Sequence, residues 1–398
     1  MSFAEPPARV LVVGASASGL STVEALRRKK YAGTITVLGD EPHAPYDRPP
    51  LSKQVLSGAW EPEKATLRTQ ETLVALDAEF VLGDPAIALA AATRTVRTES
   101  GRELRADAIV IATGVRARRW PGQADLAGVH VLRALDDALA LRADLLRCSR
   151  LVVVGEGVLG AEIAATARTL GLDVTMTGPQ PAPMALQVGA LVSNQLAQLH
   201  TERGVRLRLG TGVRNLVGAD GRVTGVELGT GEVLPADVVV VAIGAIPATG
   251  WLEGSGLLLD NGVVCDSRCR AAEGIYAVGD VARWQHEHFG GLIRLENRTN
   301  ATEQSAAVAA VLLGEDQPYA PVPYFWTDQF GAKLMVHGVI RTDAEVDIVE
   351  GDVADRRFVA RYRSDGVVTG VLGWNMPKQV RLHRQQVVDG LTAPSAIH

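Results

Sequence analysis

Cysteine is scarce in this chain. There are three in 398 residues, Cys148, Cys265 and Cys269, and none precedes Cys148. Three is too few and too odd a number for a disulfide framework. An excess of positive charge is also missing: 40 Lys and Arg face 45 Asp and Glu, for a formal net charge of −5. That argues against a nucleic-acid binder, whose affinity would rest on a basic surface. No stretch reaches the roughly 18 consecutive apolar residues of a membrane span, and the uncharged run Val238–Trp251 carries Gly and Pro. No signal-type apolar region precedes the strand-like run that begins by Val10, so a cytoplasmic protein with no membrane partner is expected. The histidines show no metal-ligand spacing. His286 and His288 fall in the polar stretch Trp284–Phe289, read as a surface turn, and no metal is expected.

What remains is a soluble globular composition, 47% hydrophobic and 21% charged with 41 glycines. A chain of 398 residues exceeds one ordinary core, so two or three domains are expected. The plan is duplicated. Arg9–Val13 is a short apolar strand followed by GASASG (Gly14–Gly19) and a helical run, Leu20–Lys30. Leu151–Val154 is another, followed by GEGVLG (Gly155–Gly160) and the helical run Ala161–Leu170. Each unit then passes through hairpin cues and closes on a strand that ends in glycine. The closures are AIVIATG (Ala108–Gly114) and DVVVVAIG (Asp237–Gly244). The cues are Thr98–Glu103 in the first unit, and Ala219–Val223 and Gly229–Val233 in the second. GIYAVGD (Gly274–Asp280), an alanine-rich helix over Thr299–Leu313 and a Pro-rich connector (Gln317–Pro323) follow. Strand-like alternation at Lys333–Val339, Arg356–Arg363 and Val367–Trp374 marks a small α+β domain at the end.

The two turns are phosphate-binding candidates. The first glycine permits the tight turn, the second lets backbone approach a pyrophosphate, and the third lets helix and strand pack closely. GEGVLG satisfies all three positions, whereas GASASG places Ser16 in the middle one. Strand before, helix after and a second copy supply the context that a lone motif lacks. At the ribose slot of the first unit, Asp40 follows the strand Thr34–Leu38 and is favoured over Glu41. In the second unit the strand Val174–Thr177 ends in Gly178-Pro179-Gln180, with no Asp, Glu, Lys or Arg between Asp173 and Glu202. With no Arg or Lys for a 2′-phosphate, NADH is expected over NADPH, and with no carboxylate the discrimination is expected to be modest. Glu156 puts negative charge beside the second turn and is expected to weaken nicotinamide binding unless its side chain points outward.

These segments carry a family resemblance. The sequence resembles the ferredoxin reductases of bacterial oxygenase systems, the group of putidaredoxin, rhodocoxin and biphenyl-dioxygenase ferredoxin reductases. The matching stretches are GASASG, GDEPHAPYDRPPLSK (Gly39–Lys53), IATG (Ile111–Gly114), GEGVLGAEIAATARTLG (Gly155–Gly171), GIYAVGD, RLENRTNATEQ (Arg294–Gln304) and PYFWTDQF (Pro323–Phe330). The resemblance implies an α/β fold of glutathione-reductase type, with two Rossmann-like dinucleotide-binding domains and a small α+β C-terminal domain. It implies an FAD domain at 1–114 and 244–322, an NAD(P) domain at 115–243 and a C-terminal interface domain at 323–398. The implied activity passes electrons from NADH (NADPH being possible) through FAD to an iron–sulfur ferredoxin that supplies a haem monooxygenase or a dioxygenase.

Carried over by position, the resemblance implies FAD contacts from Gly14, Ser16, Ala17, Ser18, Gly19, Asp40, Arg48, Lys53, Ala86, Thr113, Gly114, Arg133, Gly279, Asp280 and Arg298. It implies nicotinamide contacts from Gly155, Gly157, Val158, Leu159, Gly160, Glu162 and Gly244. Lys53 and Glu162 are implied to be the catalytic pair, each holding the other ionised. Arg298 stands where many members of the group have an aromatic. Asp280 follows a strand end, where a helix N-cap is the plainer role.

Two rival readings are weighed. A disulfide- or peroxide-reducing relative of the same fold needs a thiolate near the flavin, which a chain without a cysteine before Cys148 lacks. Cys265 and Cys269 read as small buried hydrophobes. A non-enzymatic flavin-binding interaction module is disfavoured by the intact GEGVLG turn together with Lys53 and Glu162. Finally, Arg356, Arg357, Arg361, Arg363, Lys378, Arg381 and Arg384 stand against a single acid, Asp365, between residues 356 and 384. That excess is either a solvated face or a docking surface for a small acidic protein.

Overall fold

Short apolar runs bounded by glycine dictate the layout. In the computed structural model, which describes residues 6–122 and 126–392, RVLVV of Arg9–Val13 and AIVI of Ala108–Ile111 are buried along nearly their whole length. Strands of a parallel sheet covered on both faces require that. The chain divides into two units, each assembled from three separate segments.

The first unit comprises the segment up to Asp47, Thr66–Arg116 and Ile246–Pro321. Its main sheet runs in the order Arg270–Ala272, Ile275–Ala277, Ala108–Ile111, Arg9–Val13, Thr34–Leu38 and Glu79–Val81. All are parallel except the edge strand Arg270–Ala272. The helices Ala17–Arg28 and Arg298–Leu312 lie against each other, the latter within one residue of its sequence expectation. The hairpin cue at Thr98–Glu103 joins Thr95–Thr98 to Glu103–Arg105, with Gly101 at φ +87° in the turn. His286 departs from expectation. It ends the strand Ala282–His286, is fully buried, and bonds the Pro321 carbonyl oxygen at 2.9 Å. Only His288 is exposed.

The second unit comprises Arg48–Ala65, Ala117–Ala245 and Val322–His398. It repeats the parallel plan in the order Arg206–Leu209, Asp173–Gly178, Arg150–Val154, Val238–Val241 and Val129–His130. Its C-terminal part is an antiparallel sheet in the order Tyr324–Gln329, Ala332–Gly338, Val367–Trp374, Arg357–Ser364 and Glu345–Asp352. The helix Pro377–Thr392 covers Val367–Trp374, with Val380 and Val387 buried beneath it. Sequence alternation finds three of these strands. Glu345–Asp352 escapes it because an edge strand rich in acids has no clean apolar face.

The helix Ala185–Glu202 is broken by Gly189, whose φ of 74° and ψ of 170° interrupt the ladder. The break frees the carbonyl of Val188, and the buried Tyr362 hydroxyl donates to it at 2.7 Å. A buried carbonyl left without a donor costs about 1–3 kcal/mol. Tyr362→Phe removes the donor and keeps the shape. It is therefore expected to lower the unfolding free energy by about that amount, read as a lower urea midpoint at unchanged slope.

Candidate functional site

Each unit builds the same turn. In the first, Gly14 N–H donates to Leu38 O at 2.7 Å and Ala112 N–H to Val13 O at 2.7 Å. In the second, Gly155 N–H donates to Thr177 O at 2.8 Å and Ala242 N–H to Val154 O at 2.7 Å. The leading glycines have φ of +121° and +123°, and a β-carbon on either would collide with the carbonyl of Ala112 or Ala242. The closing glycines, Gly19 and Gly160, pass so near the leading carbonyl that neither has room for a side chain. Ser16 and Gly157 are the N-caps of helices Ala17–Arg28 and Val158–Thr169; neither helix has a side-chain cap or an acid in its first turn. Both helix starts therefore offer backbone N–H groups and partial positive charge to an anion.

Around the first turn, the structure gathers several of the residues singled out by sequence. Ser18 lies against Gly279, where a β-carbon would strike the Ser18 hydroxyl. Gly279 N–H donates to Gln304 Oε1 at 2.7 Å, and Ser305 Oγ to Ser18 O at 2.8 Å. Thr113 Oγ1 and the Gly114 carbonyl bracket the backbone of Ala248, at 3.0 and 2.9 Å. Asp40 is exposed, while Glu41 accepts the Tyr46 hydroxyl at 2.5 Å. Ala86 opens the strand Ala86–Ala90, opposite Thr98. Asp280 sits in the 3₁₀ turn Gly279–Val281, and the cap of helix Arg298–Leu312 is Asn297, whose Oδ1 accepts Asn300 N–H at 2.7 Å. Arg298, the first residue of that helix, is held by Asp47 Oδ1 at 2.7 Å and by the Thr302 hydroxyl.

In the second unit, Arg48 Nη1 donates to Arg133 O at 2.7 Å, so these two meet. Lys53 lies in a π-helical turn, Leu51–Val55, tied to the helix Val158–Thr169 by Thr166 Oγ1 donating to Ser52 O at 2.8 Å. The turn carries Lys53 Nζ to 2.6 Å from Glu162 Oε2, with Glu162 only 5% exposed. Ser52 Oγ donates to the same oxygen at 2.5 Å, and Thr327 Oγ1 donates to Oε1 at 2.8 Å. A buried carboxylate requires such company.

The line of donors continues. Gln329 Nε2 donates to Thr327 Oγ1 and to Met184 Sδ, both at 3.1 Å, which turns Gln329 Oε1 toward His200 Nε2 at 2.8 Å. Burial pushes His200 below the usual histidine range, so it stays neutral with the proton on Nε2. Ser52, Thr327, Gln329 and His200 were not foreseen. For Thr327 and Gln329 the signal was a strand, Tyr324–Gln329, whose two fully inward positions are polar and share one face by the period of two.

Glu156 does not point outward. It is 7% exposed, its Oε1 accepts Gln180 N–H at 3.1 Å, and its burial raises its pKa. Gly157 and Gly244 border open space, since a β-carbon on either meets nothing within 4 Å. Burial also pushes the thiols up, Cys148 to about 11 and Cys269 to about 12, with Cys265 shifted in the same direction. None is an activated thiolate.

Lys53→Met strands Glu162 beside two neutral donors. It is expected to cost about 3–5 kcal/mol, and adding Glu162→Gln is expected to recover part of that loss. Chemical unfolding of both variants reads the difference; equal losses would mean that the pair is not ionic.

Comparison with known proteins places these features in a lineage. The family model described as pyridine nucleotide-disulphide oxidoreductase matches residues 8–307, and one described as reductase C-terminal matches residues 324–397. The rhodocoxin reductase of Rhodococcus erythropolis is 38% identical over 346 residues, covering 86% of this chain and 81% of that one. The ferredoxin–NAD(+) reductase subunit of the benzene 1,2-dioxygenase system of Pseudomonas putida is 35% identical over 381 residues, 95% of this chain and 92% of its own. The structure of the covalent putidaredoxin reductase–putidaredoxin complex superposes with a TM-score of 0.90 at 32% identity, covering 96% of this chain and 93% of that one.

Proposed function

The chain belongs to the pyridine nucleotide-disulphide oxidoreductase family, among its ferredoxin reductases, and on that premise we propose that it carries electrons from a nicotinamide dinucleotide through FAD to an iron–sulfur ferredoxin. The observation that carries this reading is the doubled turn, reproduced hydrogen bond for hydrogen bond around Gly14 and Gly155. One chain with two dinucleotide turns is equipped for two nucleotides. The ferredoxin in turn supplies a haem monooxygenase or a dioxygenase. FAD belongs with residues 1–114 and 244–322, the nicotinamide with 115–243, and residues 323–398 form the C-terminal domain.

The residues fit the two cofactors. Both helix starts lack acids and side-chain caps, as a pyrophosphate requires, and Gly157 and Gly244 leave room for a dinucleotide. Asp40 offers an exposed carboxylate at the ribose position of the first unit. When bound, FAD takes reducing equivalents as a pair from the nicotinamide and releases them singly to the ferredoxin. The protein supplies orientation. Lys53, fixed by Glu162, which Ser52 and Thr327 hold in turn, presents a cation of set position beside the helix that starts at the second glycine turn. The disulfide-reducing alternative lacks its nucleophile, because burial disfavours the thiolate at every cysteine.

Of the basic residues between 356 and 384, three are spent within the fold. Arg356 forks onto Glu202 at 2.7 and 2.8 Å, Arg361 meets Asp347 at 3.3 Å, and Arg363 meets Asp347 at 2.9 Å. Lys378, Arg381 and Arg384 are exposed on the helix Pro377–Thr392 with no acidic partner among the described residues. The docking surface for an acidic ferredoxin is accordingly assigned to that helix. A cytoplasmic location agrees with the free thiols, and no helix among the described residues is long and apolar enough to cross a membrane.

Anaerobic mixing with NADH tests the function: the flavin should bleach, and reoxidise when an iron–sulfur ferredoxin is added. A flavin that NADH leaves oxidised refutes the reading. Lys53→Met should keep FAD and slow bleaching by about 100-fold or more, the scale of a lost orienting charge. For docking, Lys378, Arg381 and Arg384 changed together to Glu should depress ferredoxin turnover and spare ferricyanide turnover. In the parent, ferredoxin turnover should fall as salt rises, since exposed charges are screened beyond about 8–10 Å near physiological ionic strength.

A further inference from the structure

We propose that Glu156 selects the nicotinamide coenzyme, reading the adenine-ribose 2′-hydroxyl from the place that a side chain at Gly178 would otherwise fill. The proposal rests on the reading that the second unit holds a nicotinamide dinucleotide. In a strand–turn–helix unit, the acid that accepts the ribose hydroxyls stands at the carboxyl end of the second strand. Here that strand is Asp173–Gly178, and its last residue has no side chain. No Asp, Glu, Lys or Arg follows until Glu202. Sequence alone reads this as a slot with no reader.

The structure fills the slot from the other side. The glycine turn and the strand end are locked together by Gly155 N–H donating to Thr177 O at 2.8 Å. Across that junction the Glu156 side chain folds over the strand end, and a β-carbon at Gly178 would fall on its carboxylate. The two positions are therefore exchanged: the acid is moved into the glycine turn, and a glycine is moved to the place of the acid. Neither change works alone, since an acid at 178 would clash with Glu156 and a glycine at both would leave the ribose without an acceptor.

The carboxylate is fixed and half free. Its Oε1 accepts Gln180 N–H at 3.1 Å, and the Glu156 carbonyl accepts Met184 N–H at 2.8 Å. Oε2 accepts no bond from any other described residue, which leaves it as an acceptor for a ribose hydroxyl. A 2′-phosphate would instead meet negative charge in a desolvated site, and Arg208, opposite Thr177 on the neighbouring strand, is paired with Glu232; that arrangement rejects a wrong ligand by like-charge contact. Discrimination against NADPH is thus stronger than the strand end suggests.

Isothermal titration of the FAD-loaded protein with ADP-ribose and with its 2′-phosphate tests this. The parent should bind ADP-ribose and reject the 2′-phosphate. Glu156→Ala should weaken ADP-ribose by about tenfold, the scale of one charge-assisted hydrogen bond, and narrow the ratio between the two ligands. Glu156→Gln should keep ADP-ribose binding within a few-fold and still narrow the ratio. The double change Glu156→Gly with Gly178→Glu should restore both the affinity and the ratio. A ratio unchanged in Glu156→Ala and Glu156→Gln, with only a lowered unfolding midpoint, would reduce Glu156 to a clasp on Gln180 and overturn the proposal. A parent that binds neither compound would overturn the coenzyme reading itself.

Discussion

Two carbonyl oxygens set the architecture of this protein. Ala112 O and Ala242 O crowd the leading glycine of each turn, so that only a residue without a β-carbon, at φ near +120°, can make the passage from strand to helix. From that one steric condition the rest follows. The turn is tight enough for its N–H to bond the end of the neighbouring strand, the strands lie parallel and in register, and the helix begins with its positive end at the edge of the sheet. Because the condition is met twice with the same bonds, the chain has two nucleotide-ready edges rather than one.

The second constraint is the cost of a buried carboxylate. Glu162 is held by a cation and two hydroxyls, and the requirement for donors propagates outward. Thr327 gives its proton to Glu162, so it must accept from Gln329. Gln329 gives its amide protons, so it must accept from His200. Every polarity in the line is fixed by the charge at its head, which makes the cluster a single rigid unit. Such a network defines where Lys53 can stand, and a reductase that must orient a flat ring has use for a fixed cation.

How much of this was legible depended on distance along the chain. The glycine turns, their strands and helices, and the closures at Ala108–Gly114 and Asp237–Gly244 are local patterns, and their ends were read to within about three residues, both helices starting three residues earlier than the pattern indicated. Lys53 and Glu162 were named only through family resemblance. Nothing in spacing links residues 53 and 162; the π-helical turn Leu51–Val55 joins them. Strands without a clean apolar face, such as Glu345–Asp352, were missed because period two is a signal of burial, and an edge strand is scarcely buried.

The amino-acid sequence determined by itself that there are two dinucleotide turns, that no cysteine stands where a redox thiol would be needed, and that the strand end at Gly178 carries no acid. Each is a property of neighbours in the chain. Only the tertiary structure decided where charge ends up. It folded Glu156 over Gly178, neutralised Arg356, Arg361 and Arg363 against Glu202 and Asp347, and left Lys378, Arg381 and Arg384 exposed. A side chain several ångströms long reaches partners that lie tens or hundreds of residues away, so composition fixes how much charge there is, and packing fixes which charges are free.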